Sequence, residues 1–296
     1  GGALAVTTDA SSGSIDLGDL EVNGTIALTT HSGGAATVVN DVGINFEAST
    51  VRGALSATAT AGNMTDTGAL TITGTSTFVT IANDATITLD QGGHAFTGAL
   101  LITTNDASPD TAGDVTISAG SGAVLDFGNS TIDGDLVATS SNTTGIIDSG
   151  AMTVRGTASF RTTAANADIS LGTSTLGDGT GTDTITLNTT GSGGDATLDN
   201  GTTAVALGTS TASLVTSVGG DLTLTSGAAA GITDSATVTV GGNLIATTDD
   251  NDGVIDLGTL AVDGTMALVT HNNGAATVVN RSEERRVGKE CRARWS

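Results

Sequence analysis

Apolar and polar residues alternate with a period of two in short stretches along most of this chain. Leu222 and Leu224, Val238 and Val240, Met152 and Val154, and Leu70 and Ile72 are each separated by a single Thr. In extended backbone, residues two apart share a face, so each stretch predicts a short strand with one buried side. The abundant Thr and Val suit that pleated surface. No Gly-free stripe of apolar residues at i, i+3, i+4 and i+7 occurs, which predicts almost no helix. Clusters of Gly, Asn, Asp and Ser, such as Gly219-Gly220, separate the strands and supply turns.

The alternation itself repeats. Residues 14–40, SIDLGDLEVNGTIALTTHSGGAATVVN, recur at 254–280 with 19 of 27 positions identical. A shorter phrase of 21 or 22 residues appears at 54–74, 135–156, 221–242 and 243–264. Each copy carries a Leu-x-apolar pair, an (Ile/Val/Met)-x-Asp step and an apolar-x-apolar pair ending in Gly. A second phrase follows the first at 75–98 and 157–172. Three short strands and three turns fill one such period. A unit of this size cannot bury its apolar face alone, but stacking units roughly 4.8 Å apart gives every strand a neighbour on both sides. The expected fold is all-β, a parallel β-helix of roughly a dozen rungs over residues 1–280, about 60 Å long.

Composition sharpens the picture in two places. Gly numbers 43, aromatics make up 2% and the formal net charge is −22. Such values also suit a disordered chain, a rival reading that requires the alternation to be accidental. An acidic chain of this kind repels nucleic acid and anionic headgroups, so neither partner is expected. No run of 18 apolar residues is available for direct membrane insertion, and GGALAVTTDASSG lacks the basic and apolar regions of a signal peptide. The chain reads as an internal fragment of a longer protein.

Residues 281–296 stand apart. They hold six of the nine basic residues, the one Cys (Cys291) and the one Trp (Trp295), leaving three Arg and 28 acids in residues 1–280. The segment RSEERRVGKEC resembles a sequencing-library adapter read in frame. That resemblance implies a non-native, disordered basic tail; the alternative is a tail that binds nucleic acid or lipid. Without Cys291, residues 1–280 have no disulfide or thiolate metal site.

The phrase GIIDSGAMTVRGTASFRTTAANADISLG, echoed in GNMTDTGALTITGTSTF and GITDSATVTVGG, resembles the repeats of large bacterial exoproteins of the filamentous-haemagglutinin kind. The resemblance implies a right-handed parallel β-helix on the bacterial surface or secreted from the cell, associated with the outer membrane. It also implies adhesion, with host or neighbouring-cell glycans or proteins as partners. The family's secretion domain and any recognisable receptor-binding segment are missing from this chain.

Chemistry-bearing constellations are sparse. Asp16, Asp66, Asp148, Asp234 and Asp256 recur at the Asp step, where they either cap turns by accepting nearby N–H groups or line up to hold calcium. Asp178-Gly-Thr-Gly-Thr-Asp183 fits a calcium-binding nonapeptide except at its first position, but stands as a single copy. Asp249, Asp250 and Asp252 form an acidic run without the spacing of an EF-hand loop. A solvated loop is the simpler reading for both segments. Calcium at these five residues is the one cofactor to weigh; no other is expected. His31, His94 and His271 read as turn histidines, the first and last being equivalent in the long repeat. A polysaccharide lyase or hydrolase needs cationic or paired acidic groups beside aromatic platforms. Residues 1–280 offer Arg52, Arg155 and Arg161, no Lys, no Tyr and no Trp, with Phe46, Phe78, Phe96, Phe127 and Phe160 at core-like positions. No catalysis is expected. The function expected first is a structural or adhesive stalk; a calcium-ordered surface-layer or biofilm-matrix protein is the alternative, and a β-helix enzyme the third. A stack ending at Asn280 exposes Met266, Leu268, Val278 and Val279, which predicts end-to-end self-association.

Overall fold

A computed structural model describes residues 2–107, 112–178, 183–210 and 214–281. The tail residues 282–296, with Cys291 and Trp295, lie outside the described residues, as does the segment 179–182 between Asp178 and Asp183. Among the described residues there is no helix. The strands form two sheets of 17 and 15 strands, and every pairing between them is parallel apart from one isolated bridge, Thr209 with Val215. The chain winds between the sheets as a β-solenoid of about 12 turns.

One turn shows how the sequence period becomes a rung. Leu55–Ala59 lies in one sheet; Met64–Asp66 and Leu70–Ile72 follow in the other. Leu55 pairs with Ser76 of the next turn, and Ser76 with Leu100 of the turn after that. In the opposite sheet Val115, Leu136, Ala158 and Ile185 stack in four successive turns. Alternation survives this stacking: Leu55, Ala57 and Ala59 are buried while Ser56 and Thr58 are half-exposed. Rungs of unequal length are accommodated partly in the connections and partly by bulges within strands, as between Leu89 and His94 and between Arg161 and Ala165.

The core runs between the sheets, and all five phenylalanines are buried in it. Phe46, Phe78 and Phe96 meet edge to face with centroids 6.1 and 6.0 Å apart, and Phe127 and Phe160 do the same at 6.3 Å. Such pairs add to the area they bury. Thr hydroxyls close the tight corners: Thr80, Thr162, Thr189 and Thr248 each donate to a carbonyl five residues on. Asp84, Asn166, Gly191 and Asp252 take positive φ there, a conformation suited to Gly, Asn and Asp.

The two-strand side of the rung changes sheet along the rod. Ala36–Asn40, Leu55–Ala59 and Ser76–Thr80 lie in the 15-stranded sheet, but Val115–Ala119, Leu136–Ser140 and Ala158–Ala165 lie in the 17-stranded one. The switch occurs where two long strands follow one another with no short pair between them, as after Leu100–Thr103 and after Ile185–Thr190. Omitting the pair advances the chain by one sheet, so everything downstream is displaced by half a turn. The long repeat lies across these switches. Thr25–His31 is in the 17-stranded sheet, whereas its equivalent Met266–His271 is in the 15-stranded one. The duplication also begins earlier than residue 14, because the strands Leu4–Ser11 and Leu244–Asn251 correspond.

In the last rung Met266 is 39% and Val279 44% exposed, while Leu268 and Val278 pack partly against the core. No helix among the described residues is long and apolar enough to cross a membrane.

Candidate functional site

The polar groups of the interior are arranged around a defect that the fold creates for itself. Where the chain bends between two short strands of one sheet, the ladder is interrupted and a backbone N–H loses its strand partner. A buried N–H without an acceptor is costly. A side chain of the following turn repairs it. Ser49 Oγ accepts the N–H of Leu28 at 3.0 Å, Ser130 Oγ that of Ile102 at 3.0 Å, and Asn200 Oδ1 that of Leu176 at 2.7 Å. Thr216 does the same for Leu187, whereas Asn200, Asn40 and Asn280 serve Leu176, Val22 and Val262 at corners between the two sheets, each also donating to the carbonyl of the residue it accepts from.

His94 performs this task for Leu70, whose N–H lies 2.9 Å from Nδ1. An Nδ1 that accepts carries no proton, so the neutral ring bears its proton on Nε2. Nε2 lies 2.9 Å from Asp66 Oδ2, off the axis of a hydrogen bond, and both side chains are 0% exposed. The other carboxylate oxygen, Oδ1, accepts the N–H of Asp90 at 3.1 Å. The ring stacks on Phe96 with centroids 5.5 Å apart. Burial pushes the Asp66 carboxyl above its ordinary value, against the pull of His94 and of the N–H groups of Asp90 and Gln91. Burial likewise pushes the His94 ring below its ordinary 6.5, against the charges of Asp66 and Asp90. With neither group at the surface, the pair's chemistry is directed inward, to holding two turns together. Reading His94 as a turn histidine is therefore corrected. His31 and His271 are the last residues of their strands, each just before a turn, and keep the equivalence of the long repeat: Nδ1 of each faces the carbonyl oxygen of Thr8 and Thr248 respectively.

The recurrent Asp residues divide into two groups. Asp66, Asp148 and Asp234 pair in register with Phe46, Phe127 and Leu207, but Asp16 and Asp256 pair with Thr37 and Thr277 and are exposed. A register shift of one residue reverses the face, so the five do not form one row. Asp148 caps a turn, though not its own. Its carboxylate accepts the N–H groups of Gly172 and Thr173 at 2.8 and 2.9 Å and the hydroxyls of Thr173 and Ser174 at 3.2 and 2.9 Å, all one turn ahead. Asp234 holds Gly258 and Thr259 in the same way.

A second ladder runs along an edge of the rod. Asp168 accepts the N–H of Asp195, Asp195 that of Asp221, Asp221 that of Asn243, and Asn243 that of Thr265, at 2.7–2.9 Å. Asp114 and Asp135 repeat the pattern beside the other sheet, where Asp114 accepts the N–H of Asp135 and Asp135 that of Thr157. Burial raises the Asp135 carboxyl, against the N–H of Thr157 and with the charge of Asp114.

Of the calcium candidates, Asp178 and Asp183 are brought together: the N–H of Asp178 donates to Asp183 Oδ2 at 3.1 Å. Burial raises the Asp183 carboxyl, with the Asp178 N–H opposing and the carboxyls of Asp178 and Asp135 reinforcing the rise. Asp249 and Asp250 lie on the strand Leu244–Asn251, so the loop expected there is corrected to extended backbone. The strand continues because Thr248 turns inward and staples Gly253. Asp252 follows at positive φ and accepts the N–H of Asn273 at 2.9 Å. Among the described residues no three His, Cys, Asp or Glu side chains are grouped to hold a metal ion.

Sequence reading missed a further acidic contact. The Asp84 carboxyl is raised first by its hydrogen bond with Asp106, and Asp106 also accepts the N–H of Ala112. Of the three arginines in residues 1–280, Arg155 places Nε 2.8 Å from Asp133. A shallow groove of about 230 Å³ is lined by Asn23, Asn45, Asn63 and Thr65 among others.

Residues 33–103 and 112–193 match a family model described as repeats of unknown function, DUF5649. The gap between the matched segments coincides with the first switch of the two-strand side from sheet to sheet. No curated protein matches the chain, and no solved structure does.

Proposed function

The chain belongs to the DUF5649 family of repeats of unknown function, and from that premise we propose that it is a stiff acidic stalk in an exported or cell-surface repeat protein, with no catalysis of its own. The observation that carries the reading is the continuity of bonding along the axis. Each turn is held to the next by strand ladders, by interior caps and by clamps such as Asp148 on Gly172 and Thr173. That is the construction of a spacer, in which load passes from backbone to backbone. The net charge of −22 keeps the flanks of such a rod apart from one another and from anionic surfaces. The adhesive part of the reading rests on the resemblance to filamentous-haemagglutinin repeats, with glycans or proteins of a neighbouring cell as the partners.

The juxtaposition of Asp178 and Asp183 favours one second reading, a rod ordered by calcium in a surface layer or biofilm matrix.

Small-angle scattering with electron microscopy, combined with binding of protein-coated beads to cells and glycan arrays, tests the proposal. A rod roughly 60 Å long, from rungs spaced about 4.8 Å apart, is the expected result. A compact particle, or release of reducing or unsaturated sugar ends from acidic polysaccharides, overturns it.

A further inference from the structure

We propose that His94 is an acid-released cap: a proton on Nδ1 turns the acceptor of the Leu70 N–H into a donor and opens the contact between the turn carrying Met64–Asp66 and Leu70–Ile72 and the turn that follows.

The argument begins with the set to which His94 belongs. Ser49, Ser130 and Thr216 at bends within a sheet, and Asn40, Asn200 and Asn280 at corners between sheets, cap interrupted ladders with neutral hydroxyl or amide oxygens. None of those acceptors is lost between pH 8 and pH 5. An imidazole nitrogen is. Once protonated, Nδ1 confronts the N–H of Leu70 across 2.9 Å, donor against donor, beside a residue that is 0% exposed. The turn must then part or leave the N–H unsatisfied.

The other histidines lack this property. Nδ1 of His31 and of His271 faces a carbonyl oxygen, so it serves as a donor there and no acceptor nitrogen is at stake.

The charged groups facing His94 are Asp66, on Met64–Asp66, and Asp90, on its own strand. The adjoining strands Leu70–Ile72, Ser76–Thr80 and Val115–Ala119 contain no titratable side chain. Both carboxylates attract a charged ring, but burial outweighs them and holds the folded value below 6.5. The open turn consequently takes up the proton first, so stability present above 6.5 is lost as the pH falls below it. Asp66 has the opposite sign: its raised carboxyl favours the closed turn on protonation, in the carboxylate range.

Hydrogen exchange of the full chain, corrected for the intrinsic pH dependence, provides the test. Opening in peptides covering 64–72 is expected to increase by up to about tenfold per pH unit below 6.5, while peptides covering 168–178, whose Leu176 N–H is capped by Asn200, show no such rise. His94→Asn, which retains an acceptor of the kind used at Asn200, is expected to keep protection at pH 7.5 and abolish the pH dependence; His31→Asn and His271→Asn leave it intact. Retained pH dependence in His94→Asn, or flat protection in the unsubstituted chain from pH 7.5 to 5.5, overturns the proposal. Should His94→Asn fail to fold, nuclear magnetic resonance titration of the unsubstituted chain decides: a His94 ring that titrates at or above 6.5 with Leu70 still protected overturns it, and one titrating below 6.5 together with loss of Leu70 protection supports it.

Discussion

A Cβ added to Gly220 would lie 2.1 Å from Oδ1 of Asp195, the same oxygen that accepts the N–H of Asp221 at 2.8 Å. The missing side chain and the carboxylate of the preceding turn thus occupy one space. Gly220→Ala is expected to cost about 1–3 kcal/mol, the usual range for an overfilled site. Asp195→Ala alone removes an acceptor and costs about 1 kcal/mol. Combined, the two should cost less than their sum, because the carboxylate oxygen is the nearest obstacle and the remaining contacts, with the backbone of Gly194, lie farther off at 3.0 and 3.1 Å. Additive losses in a denaturant double-mutant cycle would show that the carboxylate is not what excludes the methyl group.

Asp148 concentrates four accepted hydrogen bonds on a single turn. Asp148→Ala strands those donors, and a loss of about 2–4 kcal/mol is expected from several charge-assisted bonds broken together. Exchange at Gly172 and Thr173 should accelerate, while the equivalent turn at Gly258 and Thr259, clamped by Asp234, stays protected. Uniform acceleration at both places would contradict a local clamp.

Asp135 offers a pH test with a definite sign. Its carboxyl is raised by burial, so the folded chain holds the proton more readily than the unfolded one and the charged form weakens the fold at neutral pH. An amide at this position can still accept the N–H of Thr157, as Asn129 and Asn243 do for Ala151 and Thr265. Asp135→Asn should therefore raise the melting temperature at pH 7, and the gain should fade as the pH falls through the raised value towards 3.8. An unchanged or lowered midpoint at pH 7 would refute it.

Self-repulsion at a net charge of −22 should make the rod more stable as salt is added. At matched ionic strength, sodium, magnesium and calcium are expected to give melting midpoints within about 2 °C of one another, since screening does not distinguish between them. A calcium-specific increase beyond that, removed by Asp183→Asn, would identify the Asp178–Asp183 pair as a binding site and favour the calcium-ordered reading.

The rung was legible because strand alternation and Gly spacing are local properties. Leu222-x-Leu224 announces its buried face without reference to any other turn. The inward position of His94 was legible on the same grounds, for His94 and Phe96 share one phase of the alternation. What could not be read was its partner. Asp66 lies one turn away, and the Asp step of the repeat was aligned by residue type when the sheets align by register. That is why Asp16 and Asp256 were grouped with Asp66, Asp148 and Asp234 although they face outward. The caps were missed for a related reason: an interrupted ladder exists only after stacking, so neither Ser130 nor Asn200 signals in sequence which N–H it will serve.

The displacement of the long repeat from one sheet to the other has an immunological consequence. The shared peptide GAATVVN recurs as Gly34–Asn40 and Gly274–Asn280, whose strands Ala36–Asn40 and Ala276–Asn280 belong to different sheets, and in the first copy every residue is buried or half-buried. An antibody raised against this peptide would find the first copy closed by the turns on either side, so a shared sequence on two flanks does not make a shared epitope.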